Sequence, residues 1–325
     1  MKRILITTGD IDGVGTEVTF KALAALGPQP GVQFVVWRSK KCPKSHLKLV
    51  DRKFKRTKLF LSKKANGDMD RVIASMGLAL NVVPNGPRDL IDVTCETSPA
   101  RWVEISAQLC MHDLAGGIVT APLSKTGIAK AGMKDRGHTE LFKRVTKSKD
   151  VFMAFMGQHF NVLLLTDHVP LRNSFGLLTS SRIKSGIQAA RELRQLAGSR
   201  KPIAVVGINP HAGEEGLLGK DEGRFAAVLR SKDVVGPLVP DTAFLKEKWS
   251  NYSVYVCPYH DQGLIPFKLV HGFDQGVHIT LGLPFVRTSV DHGTAKELFG
   301  KNKAQFGSMR DSIEMAVKLV KRSSK

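Results

Sequence analysis

Two rhythms of apolar and polar positions divide this chain. Short unbroken apolar runs, bounded by Gly, Pro, Asp or Ser, read as strands buried on both faces. They are Arg3 to Thr7, Val32 to Trp37, Gly117 to Thr120, Ile203 to Ile208 and Val254 to Val256. Val151 to Met156 and Phe160 to Thr166 read as paired or neighbouring strands. Between these runs the apolar positions recur at helical spacing. One such stretch covers about Thr16 to Leu26. A second opens at Ser98-Pro99, carries Trp102, Ile105, Leu109 and Leu114, and closes at Gly116-Gly117. A third begins at Ser181 and continues through Ile183, Ile187, Ala190, Leu193 and Leu196. The last takes Ser308 as its cap and lines Met309, Ile313, Val317 and Val320 along one face. Gly236 to Thr242 reads as a rigid loop carrying one acid, Asp241. Strands alternating with helices predict an α/β fold with a mainly parallel sheet.

The chain has 325 residues, enough for about two domains. No apolar run approaches the roughly 20 residues of a membrane helix. The opening MKRILITTGD reads as a strand rather than a signal segment, so a cytoplasmic protein without a membrane partner is expected. Cys42, Cys95, Cys110 and Cys257 form no CxxC pair and read as isolated reduced thiols, which argues against zinc held by thiolates. The net charge is +20, and twelve Lys or Arg against the single acid Asp51 fall between Arg38 and Lys64. Helix and strand are hard to assign there. A local basic segment is usually a solvated face, and Trp37, Phe54 and Phe60 do not form an obvious stacking platform for nucleic acid.

Candidate chemistry concentrates where apolar runs end. Three runs each lead into a histidine: LLLTDH to His168, AVVGINPH to His211 and VYVCPYH to His260. If the strands are parallel, their carboxyl ends share one sheet edge, where open α/β sheets bind ligands. Three neutral imidazoles there suit a borderline divalent ion such as Zn²⁺ or Co²⁺. Three hydrogen-bonded structural histidines stand as the alternative. Asp241 and Asp261 are candidate partners of such ligands. Lys268 and Arg287 are candidate anion clamps, since the Arg fork matches carboxylate or phosphate and Lys adds a point charge. Gly137-His138-Thr139-Glu140 opens a helix, either to receive an anion at its N-terminus or simply with Thr139 as N-cap. The glycine loop Gly9 to Gly15 after the first strand lacks the third glycine of a dinucleotide fingerprint. There is no GxSxG, Walker A or HExxH motif.

GHTELF (137–142), GINPHAGEEGLLGKDE (207–222), GPLVPDTAF (236–244), YHDQGLIPFK (259–268) and ITLGLPFVRTSVDHGTAKEL (279–298) together resemble the 4-hydroxythreonine-4-phosphate dehydrogenase family of vitamin B6 synthesis. VTAPLSK (119–125) and TTGDIDGVGTE (7–17) resemble it more loosely, and Arg38 to about Ala115 hardly at all. The resemblance implies NAD-dependent oxidation and decarboxylation of 4-phosphooxy-L-threonine to 3-amino-2-oxopropyl phosphate. It implies a homodimer with the two-domain α/β/α fold of isocitrate and isopropylmalate dehydrogenases. The active site would lie in the interdomain cleft at the dimer interface. The expected domains are 1–125 plus 281–325, and 126–280. A divalent metal (Zn, Mg or Co) would sit on His168, His211 and His260 across that interface. Substrate contacts would fall on His138, Thr139, Lys268, Arg287 and on His278, where the family has Asn. Lys268, Asp241 and Asp261 are candidates for proton transfer. A paralogue acting on 4-phospho-D-threonate or 4-phospho-D-erythronate is the neighbouring alternative. Nucleic-acid binding through 38–64 is the alternative of another class.

Overall fold

The computed structural model describes residues 1–62, 68–272 and 276–322, so Lys63 and Lys64 of the basic segment lie outside the described residues. The chain divides into two compact units, Met1–Lys149 with Leu283–Lys325, and Asp150–Gly282. The boundary therefore falls at 149/150, and residues 126–149, expected in the second domain, belong to the first unit.

Numbered along the chain, the first unit opens with β1 (Lys2–Thr7), α1 (Gly15–Leu26), β2 (Val32–Arg38), α2 (Lys44–Asp51), β3 (Lys55–Leu61) and α3 (Met69–Val82). It continues with β4 (Asp89–Cys95), α4 (Pro99–Met111), β5 (Gly117–Thr120), α5 (Lys125–Lys130) and α6 (His138–Thr146). The second unit holds β6 (Phe152–Met156), β7 (Asn161–Leu164), α7 (Leu171–Leu177), α8 (Ser180–Ala197) and β8 (Ile203–Val206). It ends with α9 (Ala226–Leu229), β9 (Val234–Leu238), β10 (Val254–Cys257), α10 (His260–His271) and β11 (Val277–Leu281). The chain then returns to the first unit as β12 (Val286–Ser289) and α11 (Gly307–Arg322).

In the first unit the strands lie in the order β3-β4-β2-β1-β5-β12, each neighbouring pair parallel. Helices cover both faces, which is why the inner strands β1, β2 and β5 are buried on both. Ile4, Ile6, Phe34 and Val36 pack on one side with residues of α1 and α11. Leu5, Val35, Trp37 and Ile91 pack on the other with residues of α3 and α4. In the second unit the order is β11-β6-β7-β10-β8-β9. There β6 runs antiparallel to both β7 and β11, while β7, β10, β8 and β9 are parallel. No helix among the described residues is long and apolar enough to cross a membrane.

Local signals set most boundaries. Ser98 caps α4 by accepting from the Arg101 amide at 3.3 Å, with Pro99 in its first turn. Four expectations are corrected. The helix opened at Ser98 stops at Met111, so Leu114 lies beyond it. Helix α8 begins at Ser180 rather than Ser181, with Thr179 as its cap. Ser308 lies inside α11, and its hydroxyl accepts from the Asp291 amide at 3.1 Å. Gly236-Pro237 is part of strand β9 rather than of a loop.

The basic segment folds as α2 and the sheet-edge strand β3. Asp92 of β4, fully buried, accepts from Arg38 Nε and Nη2 at 2.6 and 2.9 Å and from Arg56 Nη1 at 2.6 Å. Two of the twelve cations are thus spent on a carboxylate the linear sequence gives no reason to pair with them. Removing one member of a buried, hydrogen-bonded ion group typically costs about 3–5 kcal/mol. Asp92→Ala is expected to lower the stability of the first unit by that order, read as a drop in thermal midpoint. A variant melting within a degree of the parent would contradict this account.

Candidate active site

At the carboxyl edge of the first unit's sheet, three sequence motifs meet. Gly9 (φ 66°) brings the loop after β1 against the loop after β5, and a Cβ there would lie 2.1 Å from the Pro122 carbonyl oxygen. The Asp10 amide donates to that oxygen at 3.0 Å, and the Asp10 carboxylate accepts from the Ser124 amide at 3.2 Å. The Val14 amide donates to the Thr294 carbonyl at 3.0 Å, tying in the segment after β12. Lys296 Nζ pairs with Asp12 at 2.8 Å. The glycines of the first loop are thus explained by close approach of three loops. The strand order changes direction between β1 and β5, the kind of position at which open α/β sheets bind ligands.

Beneath these loops lies Arg287 of β12, 3% exposed. Its Nη2 donates to Thr120 Oγ1 at 2.7 Å, a reach set by the register that pairs β12 with β5. The guanidinium lies 5.6 Å from the centroid of the Phe142 ring, within cation–π range. His138, first residue of α6, stacks on the same ring with centroids 6.3 Å apart. His138 is half-buried as a residue, but its Nε2 is sealed and has no hydrogen-bond partner among the described residues. Burial and then the Arg287 charge push the His138 imidazole down to about 3, so it is neutral at pH 7. Burial pulls Arg287 down to about 9, so it remains a cation there. Gly137, not Thr139, occupies the N-cap position of α6, which leaves Thr139 half-buried in the first turn. A buried fork beside a neutral imidazole and a helix N-terminus is an arrangement for a carboxylate or phosphate.

In the second unit β10 pairs in parallel with β7 on one side and β8 on the other, so the three histidines leave neighbouring parallel strands at the same edge. The Leu165 amide donates to Cys257 O at 2.8 Å, and Thr166 Oγ1 donates to Pro258 O at 2.8 Å. This zipper past the strand ends brings the His168 and His260 rings to a centroid separation of 5.0 Å. His260 Nδ1 lies 2.7 Å from Asp261 Oδ1. A carboxylate only accepts, so Nδ1 carries the proton; the lone pair of the neutral ring is then on Nε2, the form a metal takes. Gln262 Nε2 donates to Gly207 O at 2.6 Å and ties α10 to the exit of β8.

His211 follows that exit in an unusual backbone. His211, Ala212, Gly213, Glu214 and Glu215 have φ of 53°, 54°, 85°, 43° and 55°, a left-handed turn. Each of the four non-glycine residues stores roughly 1–2 kcal/mol there. The His211 ring is exposed, with Nδ1 3.5 Å from a Glu214 oxygen. Among the described residues no group of three His, Cys, Asp or Glu stands close enough to hold a metal ion. Two of the three expected ligands are therefore side by side and the third is not gathered with them. The pair fits two positions of a cation site and leaves the remaining ones to other donors.

The other expected residues are dispersed. Lys268 is half-buried on α10, two turns beyond His260, and Asp241 is exposed after β9. His278 on β11 is 8% exposed and stacks on Phe155, its cross-strand partner, at 5.1 Å. Sequence reasoning missed Thr120, whose only signal was its place at the end of a strand before APLSK, and Glu222, whose carboxylate lies against Gly213 and accepts from the Ile208 and Asn209 amides at 2.9 and 2.7 Å.

The family model described as "Pyridoxal phosphate biosynthetic protein PdxA" matches residues 33–316. The chain is 34% identical over 335 residues to a 4-hydroxythreonine-4-phosphate dehydrogenase of Sulfurihydrogenibium sp., covering 100% of both. It is also 34% identical over 342 residues to a D-threonate 4-phosphate dehydrogenase of Pectobacterium atrosepticum, covering 98% of this chain and 99% of that protein. A crystal structure of 4-hydroxythreonine-4-phosphate dehydrogenase from Klebsiella pneumoniae superposes with TM-score 0.75 at 30% identity, covering 98% and 100% of the two chains.

The His138 shift fixes a pH dependence. With its folded value at about 3 and its ordinary value at 6.5, the unfolded chain takes up this proton first as pH falls. Stability from this group is complete above 6.5 and declines towards 3, by at most about 1.4 kcal/mol per pH unit. Denaturant melts of the parent and of His138→Gln should therefore show a stability difference that moves in the variant's favour between pH 7 and pH 4. A pH-independent difference would contradict the burial of this ring.

Proposed function

Because the chain belongs to the PdxA family and is a dehydrogenase of that type, we propose that it oxidises 4-phosphooxy-L-threonine at its secondary hydroxyl, with NAD and a divalent cation. In this reading CO₂ is then lost to give 3-amino-2-oxopropyl phosphate on the way to pyridoxal phosphate, and the working form is a cytoplasmic homodimer. The observation that carries the reading is Arg287, a guanidinium kept in the interior by Thr120 and Phe142. Such a preorganised fork matches a phosphate or carboxylate, the two anionic groups of this substrate.

Each residue has a task in this scheme. Arg287 and the first turn of α6 hold an anionic group of the substrate. Neutral His138 stands beside Arg287 without adding a second charge. Asp261 keeps the proton on Nδ1 of His260 and so keeps Nε2 available. His168 and His260, with His211 as a further ligand, would hold the cation. When bound, the cation would supply Lewis acidity at the substrate hydroxyl and the nicotinamide a hydride acceptor. Lys268, Asp241 and Asp261 are the candidates for protonating carbon after CO₂ leaves. A recess at the carboxyl ends of β1 and β2, lined by Ile11, Gly13, Thr16, Cys42 and His46, lies at the sheet edge where open α/β sheets bind ligands.

A second reading, D-threonate 4-phosphate as substrate, is favoured by His278 at the position where the resemblance has Asn. An imidazole cannot present an amide's donor and acceptor together. Steady-state assays with both substrates at equal NAD⁺ and Co²⁺ decide between them. The expected result is the higher kcat/KM with 4-phosphooxy-L-threonine, falling about 10- to 100-fold in Arg287→Lys, which lacks the bidentate fork. NADH from D-threonate 4-phosphate alone would establish the second reading, and NADH from neither would overturn both.

A further inference from the structure

We propose that the face formed by α2 and β3 binds single-stranded nucleic acid, independently of the dehydrogenase reaction. The basic segment has no task in the oxidation, and the fold decides where its charges go. Arg38 and Arg56 turn inward to Asp92. The other eight cations between Arg38 and Leu61 all stay exposed. Lys40 pairs with Glu96, and Lys53 Nζ donates to Ala25 O at 3.2 Å. Among the described residues Lys41, Lys44, Lys48, Arg52, Lys55 and Lys58 make no ion pair. Asp51, the one acid of the segment, is taken by Arg56 Nε at 2.6 Å. An array of cations without partners of its own is the electrostatic footprint of a polyanion.

These charges form one surface because α2 is laid along β3. At one end Asp51, the last residue of α2, holds Arg56 near the start of β3. At the other the Lys40 ammonium, a few residues before α2, rests 4.7 Å from the centre of the Phe60 ring near the end of β3. The helix spans about 12 Å and the stretch from Arg56 to Phe60 about 13 Å, so the two run side by side in opposite directions. Lys44 and Lys48, four apart, share one side of the helix. Leu59 and Leu61 pack into the core with residues of α3 and α4. Lys58 and Phe60 alternate with them and project from the opposite face, the one on which Arg56 meets α2.

Phe60 selects the kind of polyanion. Trp37 and Phe54 are buried, but Phe60 is 57% exposed. An exposed aromatic ring bordered by ammonium groups gives an unpaired base a surface to stack on, which the bases inside a duplex cannot use. Leu49 is the one other large apolar side chain exposed in the segment, far less than a helix that inserts into a lipid surface presents.

The test is fluorescence anisotropy of a labelled oligo(dT) of about 20 nucleotides, longer than the ~4–16 that such surfaces occupy, titrated with the full-length chain. Its affinity should fall between about 50 and 200 mM KCl with a log–log slope of about −2, from about −0.7 for each phosphate met by Lys44, Lys48 and Lys58. Lys44→Glu with Lys48→Glu should weaken binding about 10-fold or more, and Lys44→Gln with Lys48→Gln less but in the same direction. Lys318→Glu with Lys321→Glu, the same change of charge at exposed positions of α11, should stay within about 2-fold of the parent. Phe60→Ala should weaken the single strand about 5-fold or more and leave a duplex of equal length unaffected. Flat anisotropy at the lowest salt, or equal losses from the two charge reversals, would overturn the proposal. So would a duplex bound as tightly as the single strand, or indifference to Phe60→Ala. Release from oligo(dT) at a salt concentration that still leaves the chain on phosphatidylserine vesicles would mark a membrane surface instead.

Discussion

The parallel pairing of β10 with β7 and β8 is the constraint on which the second unit's chemistry depends. Hydrogen bonding three strands in one direction makes their carboxyl ends neighbours, however distant they are along the chain. His168, His211 and His260 inherit that proximity from the backbone. What the sheet alone leaves open is how far each histidine stands from the next, and two different devices set it. Past β7 and β10 the ladder continues for a few residues as a zipper of Leu165 and Thr166 on Cys257 and Pro258, and two rings end 5.0 Å apart. Past β8 the chain coils the other way, and the third imidazole is carried out towards solvent.

The first unit solves a different problem, which is to keep a cation dry. Arg287 is held by a hydroxyl and an aromatic face, and the imidazole closest in character to it is kept neutral by the same burial. Positive charge is concentrated on one fork rather than spread over the wall. That favours recognition of a planar or tetrahedral oxyanion by shape as much as by charge.

How much of this could be read from the letters varies with the range of the interaction responsible. Strand–helix alternation, the parallel sheet and the histidines at strand ends were legible, because apolar runs and their terminators are local signals. Residue chemistry and family motifs brought Arg287 and His138 into view, but not Thr120, whose hydroxyl matters only through the register of β12 on β5. Helix starts were misplaced by one or two positions at Ser181, Thr139 and Ser308, since boundaries read from polar residues are uncertain by that much. Asp92 as the hub of Arg38 and Arg56, and Glu222 as the anchor under Gly213, were invisible. Both are buried carboxylates whose partners arrive from other elements, and no periodicity announces them.

The basic segment has a further consequence as strand β3, which closes one side of the first unit's sheet and has β4 as its hydrogen-bonded neighbour. An uncovered strand is a template on which a stray chain can align its backbone. Here Lys55 and Lys58 project from that rim, and Lys40 rests its ammonium over the exposed ring of Phe60 at 4.7 Å. A second copy approaching rim to rim would bring Lys55 and Lys58 towards like charges. Charge along an edge strand works against that alignment.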